Sequence, residues 1–258
     1  MASLGQAVPP FVHLAAHPVR WRLLATLAHS DYRVRELVTL VGEPQNLISY
    51  HLRLLRNAGL LTATRSTFDG RDTYYHLNLD RCAQALSDTG AALHPRLRAE
   101  PAPPQLATGL SRRPSVLFLC TGNSARSPMA EAMLNHRAAG SVEVISAGSH
   151  PKSRLHPNAI RVLRDDFGTN IADQQPRHMN TVIKHRFDHV ISLCDKVREI
   201  CPEFPERPRR VHWSISDPAT AGDTDQAGYP AFKRTAADID TRIRYLLPVL
   251  TQTQEAKP

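Results

Sequence analysis

Cys120 and Arg126 stand at the two ends of a short loop in the run VLFLCTGNSARSPMAEAM, residues 116–133, between an apolar stretch and a helical one. A thiol at a strand end, a tight loop and an arginine at a helix start can together enclose a tetrahedral oxyanion. Backbone N–H groups of Thr121, Gly122, Asn123, Ser124 and Ala125 can curl into a nest. The helix behind them adds its positive end, and Arg126, next to Ser127, offers a planar fork to two oxygens. The same positive field favours the thiolate of Cys120, the form that attacks. Gly122 and Asn123 tolerate the positive φ that a nest requires, and Pro128 suits a first helical turn. The loop alone does not choose between phosphate and another anion of like charge and shape.

Further residues bear on that choice. Cys194 closes an apolar strand, and Cys201 follows in CDKVREIC, a segment that reads as helical or mobile. Two thiols there suggest a redox relay. Asp217, in HWSISDPAT, lies in an Asp-Pro turn and suits a general acid beside a bound oxyanion.

These side chains need a scaffold, and the alternation from Ser115 onward supplies one. A strand ending at Cys120 leads through the loop into a helix, then a strand (142–146), a helix (about 156–167) and a strand (188–193). A further strand lies near 210–213, and a helix over about 229–250 closes the chain. This order predicts an α/β fold, a doubly wound parallel sheet whose ligand lies at the carboxyl ends of the strands. Cys120, Cys194 and Asp217 all fall at those ends.

Ahead of it, HPRLRAEPAPPQLATGLSRRP (94–114) loses periodicity and reads as a linker. Residues 1–93 form a smaller domain, and 115–258 the larger one. In the first, apolar residues recur at helical spacing from Phe11 to Leu27, with Pro18 opening a second helix, and again over 34–41. A turn at 42–44 leads into a helix over 45–58, and Gly59 stops it. Two strands, 60–67 and 73–79, flank the turn at 68–71, and a helix covers about 80–93. Helix, turn, helix and hairpin make a winged helix-turn-helix. Gln45, Asn46, Ser49, Tyr50 and Arg53 would face a major groove of double-stranded DNA, while Arg65 and Arg71 on the wing reach phosphate or minor groove.

At 258 residues and 41% hydrophobic content, the chain can pack two ordinary domains. A net charge of +8 permits nucleic-acid or anion binding without establishing either. No apolar run approaches a membrane span, and MASLGQAVPP has none of the regions of a signal peptide, so a cytoplasmic protein without membrane contact is expected. In such a reducing compartment the four cysteines read as catalytic or redox residues rather than a disulfide framework.

CTGNSARS resembles the active-site loop of the low-molecular-weight tyrosine phosphatase superfamily, which includes the thioredoxin-coupled arsenate reductases. HWxxxDPA and the spacing of Cys194 and Cys201 resemble the reductases in particular. That resemblance implies a relay in which Cys120 attacks arsenate, Cys194 then attacks Cys120 to release arsenite, and Cys201 resolves the disulfide for thioredoxin to reduce. Mycothiol or glutaredoxin could replace thioredoxin as reductant. It also implies a structural potassium ion, for which Asn123, Glu131 and Ser146 match three ligand positions and Asn180 stands as the fourth. The loop departs from the family at Ala125, where a second cysteine is common.

HPVRWRLLATL, ISYHLRLLRNAGLL and DTYYHLNL resemble the ArsR-type repressors over residues 9–93, which implies a homodimer through the first and last helices of that domain. The Cys-x-Cys pair of many arsenic sensors is absent from Glu36 to Leu40, and Cys82 alone cannot build a three-thiolate site. Together the two halves predict an arsenate reductase fused to a regulator. A phosphatase using Cys120, Arg126 and Asp217 is the nearest alternative, although Ala219 and Thr220 follow Pro218 where phosphatases of this group carry tyrosines. A domain that senses oxyanion or redox state without turnover is the third reading.

Overall fold

A computed structural model of the chain describes residues 7–68, 70–99, 112–204 and 207–252. The chain divides into two compact units, and each is taken by itself.

In the first unit, α1 (Pro10–Ala15), α2 (Pro18–Leu27), β1 (Tyr32–Arg33), α3 (Val34–Val41), α4 (Gln45–Asn57), β2 (Leu61–Arg65), β3 (Thr73–Leu77) and α5 (Leu79–Leu93) follow in order. Leu23, Leu37, Ile48, Leu52 and Leu55 are fully buried, so the helices at 3.6-residue spacing share one core. Gly42 closes α3 in the left-handed conformation at φ 74°, which lets α4 start after a two-residue turn. The hairpin of β2 and β3 gains β1 as a third antiparallel strand, Tyr32 facing Tyr75, in the order β1-β3-β2. Two residues are too short a run to show strand alternation, so sequence gave no sign of β1. Part of the expected linker is folded: Pro95–Leu97 form a 3₁₀ turn, and Ser87 Oγ donates to the Ala99 carbonyl at 2.9 Å. Residues 100–111 of that linker, and Asp69 in the wing turn, lie outside the described residues.

In the second unit, β4 (Ser115–Cys120), α6 (Arg126–Ala138), β5 (Glu143–Gly148), α7 (Pro157–Phe167), β6 (His189–Ser192), α8 (Asp195–Ile200), β7 (Arg209–His212) and α9 (Asp225–Gln252) alternate as expected. The sheet runs β5-β4-β6-β7 and every pairing is parallel. All six residues of β4 are buried, as a central strand covered on both faces must be. The strand order reverses between β4 and β6, and the crevice at such a switch point is where open α/β sheets bind ligands. Cys120 ends β4, and Cys194 lies just beyond the end of β6.

α6 is buried almost all round from Arg126 to Leu134. α9 begins four residues before the expected start at Tyr229. Thr224 caps the helix ahead of that point, its Oγ1 accepting from the Ala227 N–H at 3.2 Å. Among the described residues no helix is long and apolar enough to cross a membrane.

Candidate functional site

The loop after β4 is fixed by backbone bonds to the segment after β5. The carbonyls of Thr121, Gly122 and Ser124 accept from the N–H groups of His150, Lys152 and His156 at 2.9, 2.9 and 2.8 Å. Register places Gly148 beside Cys120. A Cβ on Gly148 would lie 2.6 Å from the Thr121 oxygen and 2.9 Å from the Asn123 nitrogen, so only glycine lets the loop approach this closely.

Asn123 is the residue that takes the left-handed turn, at φ 42°, whereas Gly122 is not in that region. A side chain at Gly122 would instead crowd Ser124 Oγ at 3.2 Å and Lys152 Cγ at 3.3 Å. Asn123 is buried and braces the loop. Its Nδ2 donates to Ser127 Oγ at 3.0 Å and Ser146 Oγ at 2.8 Å, and its Oδ1 accepts from the Arg177 N–H at 2.7 Å. Cys120 Sγ accepts from the Asn123 N–H at 3.2 Å and lies 3.0 Å from Ser127 Oγ. No side chain caps α6, so its first N–H groups remain available to an anion.

Arg126 is buried, and its guanidinium donates to the Ile215 carbonyl at 2.9 Å and to Asp217 Oδ2 at 2.6 Å. These bonds hold the fork in one orientation and bring Asp217 to the same pocket. Asp217 keeps 36% side-chain exposure, so its carboxyl opens to solvent as well as to the pocket. Lys152, His150 and Lys196 line the pocket with Cys120, Arg126 and Cys194.

Cys194 lies across the pocket from the loop, its Sγ 3.3 Å from Thr121 Oγ1. Burial pushes its thiol above the ordinary range, the Arg126 charge pulls the other way, and the nearby Cys120 adds to the rise. Cys201, at the opposite end of α8, is half-buried and is likewise pushed up by burial. All four cysteines are free. Cys82 packs in the first unit, its thiol pushed up to about 11 by burial, which suits an unreactive core residue.

One feature of the site had no sequence signal strong enough to name it. Asp195 and His212 form a buried pair, Oδ1 to Nε2 at 3.1 Å. Burial works to raise the Asp195 carboxyl, but bonds from His212 and Ser214 more than offset it and hold the group below its ordinary value. A second buried carboxyl belongs to Glu131, which the resemblance had placed at a potassium position. Burial pushes its carboxyl up; Gln174 Nε2 donates to it at 2.6 Å, and the Arg177 guanidinium stands 3.7 Å away. Asn180, the fourth potassium position, is exposed on the turn Met179–Thr181, whereas Asn123, Glu131 and Ser146 are buried.

Residues 115–256 match the family model described as low molecular weight phosphotyrosine protein phosphatase. The chain belongs to that family. Relatives of this phosphatase-family half include the arsenate reductase of Halalkalibacterium halodurans, 34% identical over 50% of this chain and 91% of the relative. The arsenate reductase of Shouchella clausii is 36% identical over the same shares. Among solved structures, the thioredoxin-dependent arsenate reductase of Corynebacterium glutamicum is 26% identical. That match covers 90% of this chain and 98% of the other, with a TM-score of 0.46.

The first unit matches, over residues 17–63, the model described as bacterial regulatory protein, arsR family. Its expected contact residues are gathered on one surface of α4: Gln45, Asn46, Ser49, Tyr50 and Arg53 are all exposed, and the Arg53 guanidinium stacks 5.7 Å from the Tyr50 ring. Arg65 and Arg71 are exposed at the wing end of the hairpin. His51 points the other way, buried against His17 with ring centroids 4.4 Å apart.

Proposed function

We propose that the second unit reduces arsenate to arsenite by a relay of Cys120, Cys194 and Cys201, and that the first unit binds double-stranded DNA as a regulator. The observation that carries the reading is the convergence of two thiols on one oxyanion pocket, with a third thiol at the far end of a six-residue helix. A phosphatase needs only the first of these.

Arsenate enters the nest of N–H groups and the fork of Arg126. The Cys120 thiolate bonds to arsenic, and one arsenic oxygen leaves as water with a proton from Asp217. Cys194 then attacks the Cys120 sulfur. An S–S bond forms, the S–As bonding pair returns to arsenic, and As(V) departs as As(III). Cys201 attacks Cys194 and frees Cys120. Along a helix, residues seven apart lie roughly 10 Å from one another. Disulfide Cα atoms are only about 4.4–6.8 Å apart, so α8 must partly unwind for this step. The unwound Cys194–Cys201 disulfide is open to an external dithiol such as thioredoxin, with glutaredoxin or mycothiol as alternatives.

Potassium has no place in this reading. The carboxylate of Glu131 is matched by Arg177 and Gln174, and the Asn123 amide oxygen is taken by the Arg177 N–H. The residues present fit a cation poorly, because the positive charge and the donors are already built in.

Purified protein given arsenate, thioredoxin, thioredoxin reductase and NADPH should oxidise NADPH. Turnover of an aryl phosphate alone would favour the phosphatase. For the first unit, exposed Val12, Leu86 and Leu93 on α1 and α5 support pairing with a second copy. Binding to its own promoter DNA should weaken steeply with salt, and no binding at low salt would remove the regulatory half.

A further inference from the structure

We propose that Asp195, held by His212 and Ser214, is a positioning residue that pins the Cys194 end of α8 in the Cys120 pocket, so that the helix opens from its Cys201 end. This rests on the relay described above and assigns a task to a buried polar cluster that the relay itself does not use. Asp195 follows Cys194 directly and is 3% exposed. Its Oδ1 accepts from Ser214 Oγ at 2.8 Å and from His212 Nε2 at 3.1 Å. With Nε2 carrying the proton, Nδ1 of His212 accepts from Ser192 Oγ at 2.9 Å. Ser192 ends β6 and His212 ends β7, so the start of α8 is tied to the ends of two adjacent strands.

A buried carboxylate stays put because leaving its partners uncovers each of them unpaired. The other end of α8 is more open to solvent. Ile200 is 43% exposed, and past Cys201 the Arg210 guanidinium donates to the Pro202 carbonyl at 2.7 Å in an exposed bond that water can replace. Opening α8 from this end moves Cys201 toward Cys194, while opening from the other end would remove Cys194 from Cys120 and break the relay.

The test uses the full chain. Asp195→Ala should lower kcat for arsenate tenfold or more with KM within twofold, and Asp195→Asn, which keeps the acceptor oxygen, should restore it to within threefold. In a Cys201→Ser background, diamide should form the Cys120–Cys194 disulfide, and Asp195→Ala should slow this at least tenfold. That second readout needs no arsenate, so it stands even if the wild type proves not to be a reductase. Should Asp195→Ala fail to fold, Ser214→Ala should slow the same disulfide about threefold. Equal impairment by Ala and Asn, or an unchanged rate of disulfide formation, would overturn the proposal.

Discussion

The loop around Cys120 and the segment from Cys194 to Cys201 carry the same functional group on opposite designs. Around Cys120 the carbonyls of Thr121, Gly122 and Ser124 are bonded to the chain after β5, Asn123 is fastened on three sides, and Gly148 closes the fit from the neighbouring strand. The second segment is tied at Asp195 and open at Ile200. The difference shows how one fold can serve two needs. A nucleophile that must meet an oxyanion in fixed geometry gains from rigidity, since a misplacement of about 1 Å can cost on the order of 100-fold in rate. In the proposed relay, a resolving thiol that must travel needs a short helix able to come apart.

Substitutions at the two regions should therefore differ in kind. The largest effect is expected at Gly148→Ala, where the added Cβ would meet the Thr121 oxygen at 2.6 Å. The loop must shift, lowering stability by about 1–3 kcal/mol. Turnover should fall by on the order of 100-fold, for arsenate and aryl phosphate alike. Melting temperature and kcat on both substrates check this. Ile200→Ala, at the exposed end of α8, should by contrast change stability by less than about 0.5 kcal/mol in denaturant titrations. If the two substitutions destabilise equally, the contrast in rigidity is wrong.

A smaller effect concerns pH. Burial raises the thiols of Cys194 and Cys201, so at pH 8 each holds less thiolate than an ordinary cysteine. Their alkylation by iodoacetamide should level off at a higher pH than that of an ordinary exposed cysteine. Cys82, pushed up to about 11, should be the slowest of the three. A profile for Cys201 like that of an ordinary exposed cysteine would show that α8 is already open in the reduced protein.

What sequence could reveal follows from how far apart the partners lie. The Cys120 loop was legible because strand, turn, arginine and helix are contiguous, and the winged helix because its apolar spacing is regular over whole helices. Register, crowding and buried pairs were not legible. Gly148 matters through a strand partner 28 residues away in the chain, and Asp195 through His212, 17 residues on. Neither has a local pattern. The start of α9 was expected four residues late, since Thr224 caps the helix ahead of Tyr229. Gly122 drew attention for its backbone freedom, yet the left-handed residue is Asn123, and Gly122 is needed for space.

The central claim is that the three thiols act in series. Reduced protein mixed with one equivalent of arsenate, without external reductant, quenched with an alkylating agent and mapped by mass spectrometry, tests it most directly. The account predicts one arsenite released per chain, a Cys194–Cys201 disulfide, and Cys120 alkylated as a free thiol. Arsenite release with Cys194 and Cys201 both still reduced, or no release at all, would contradict it.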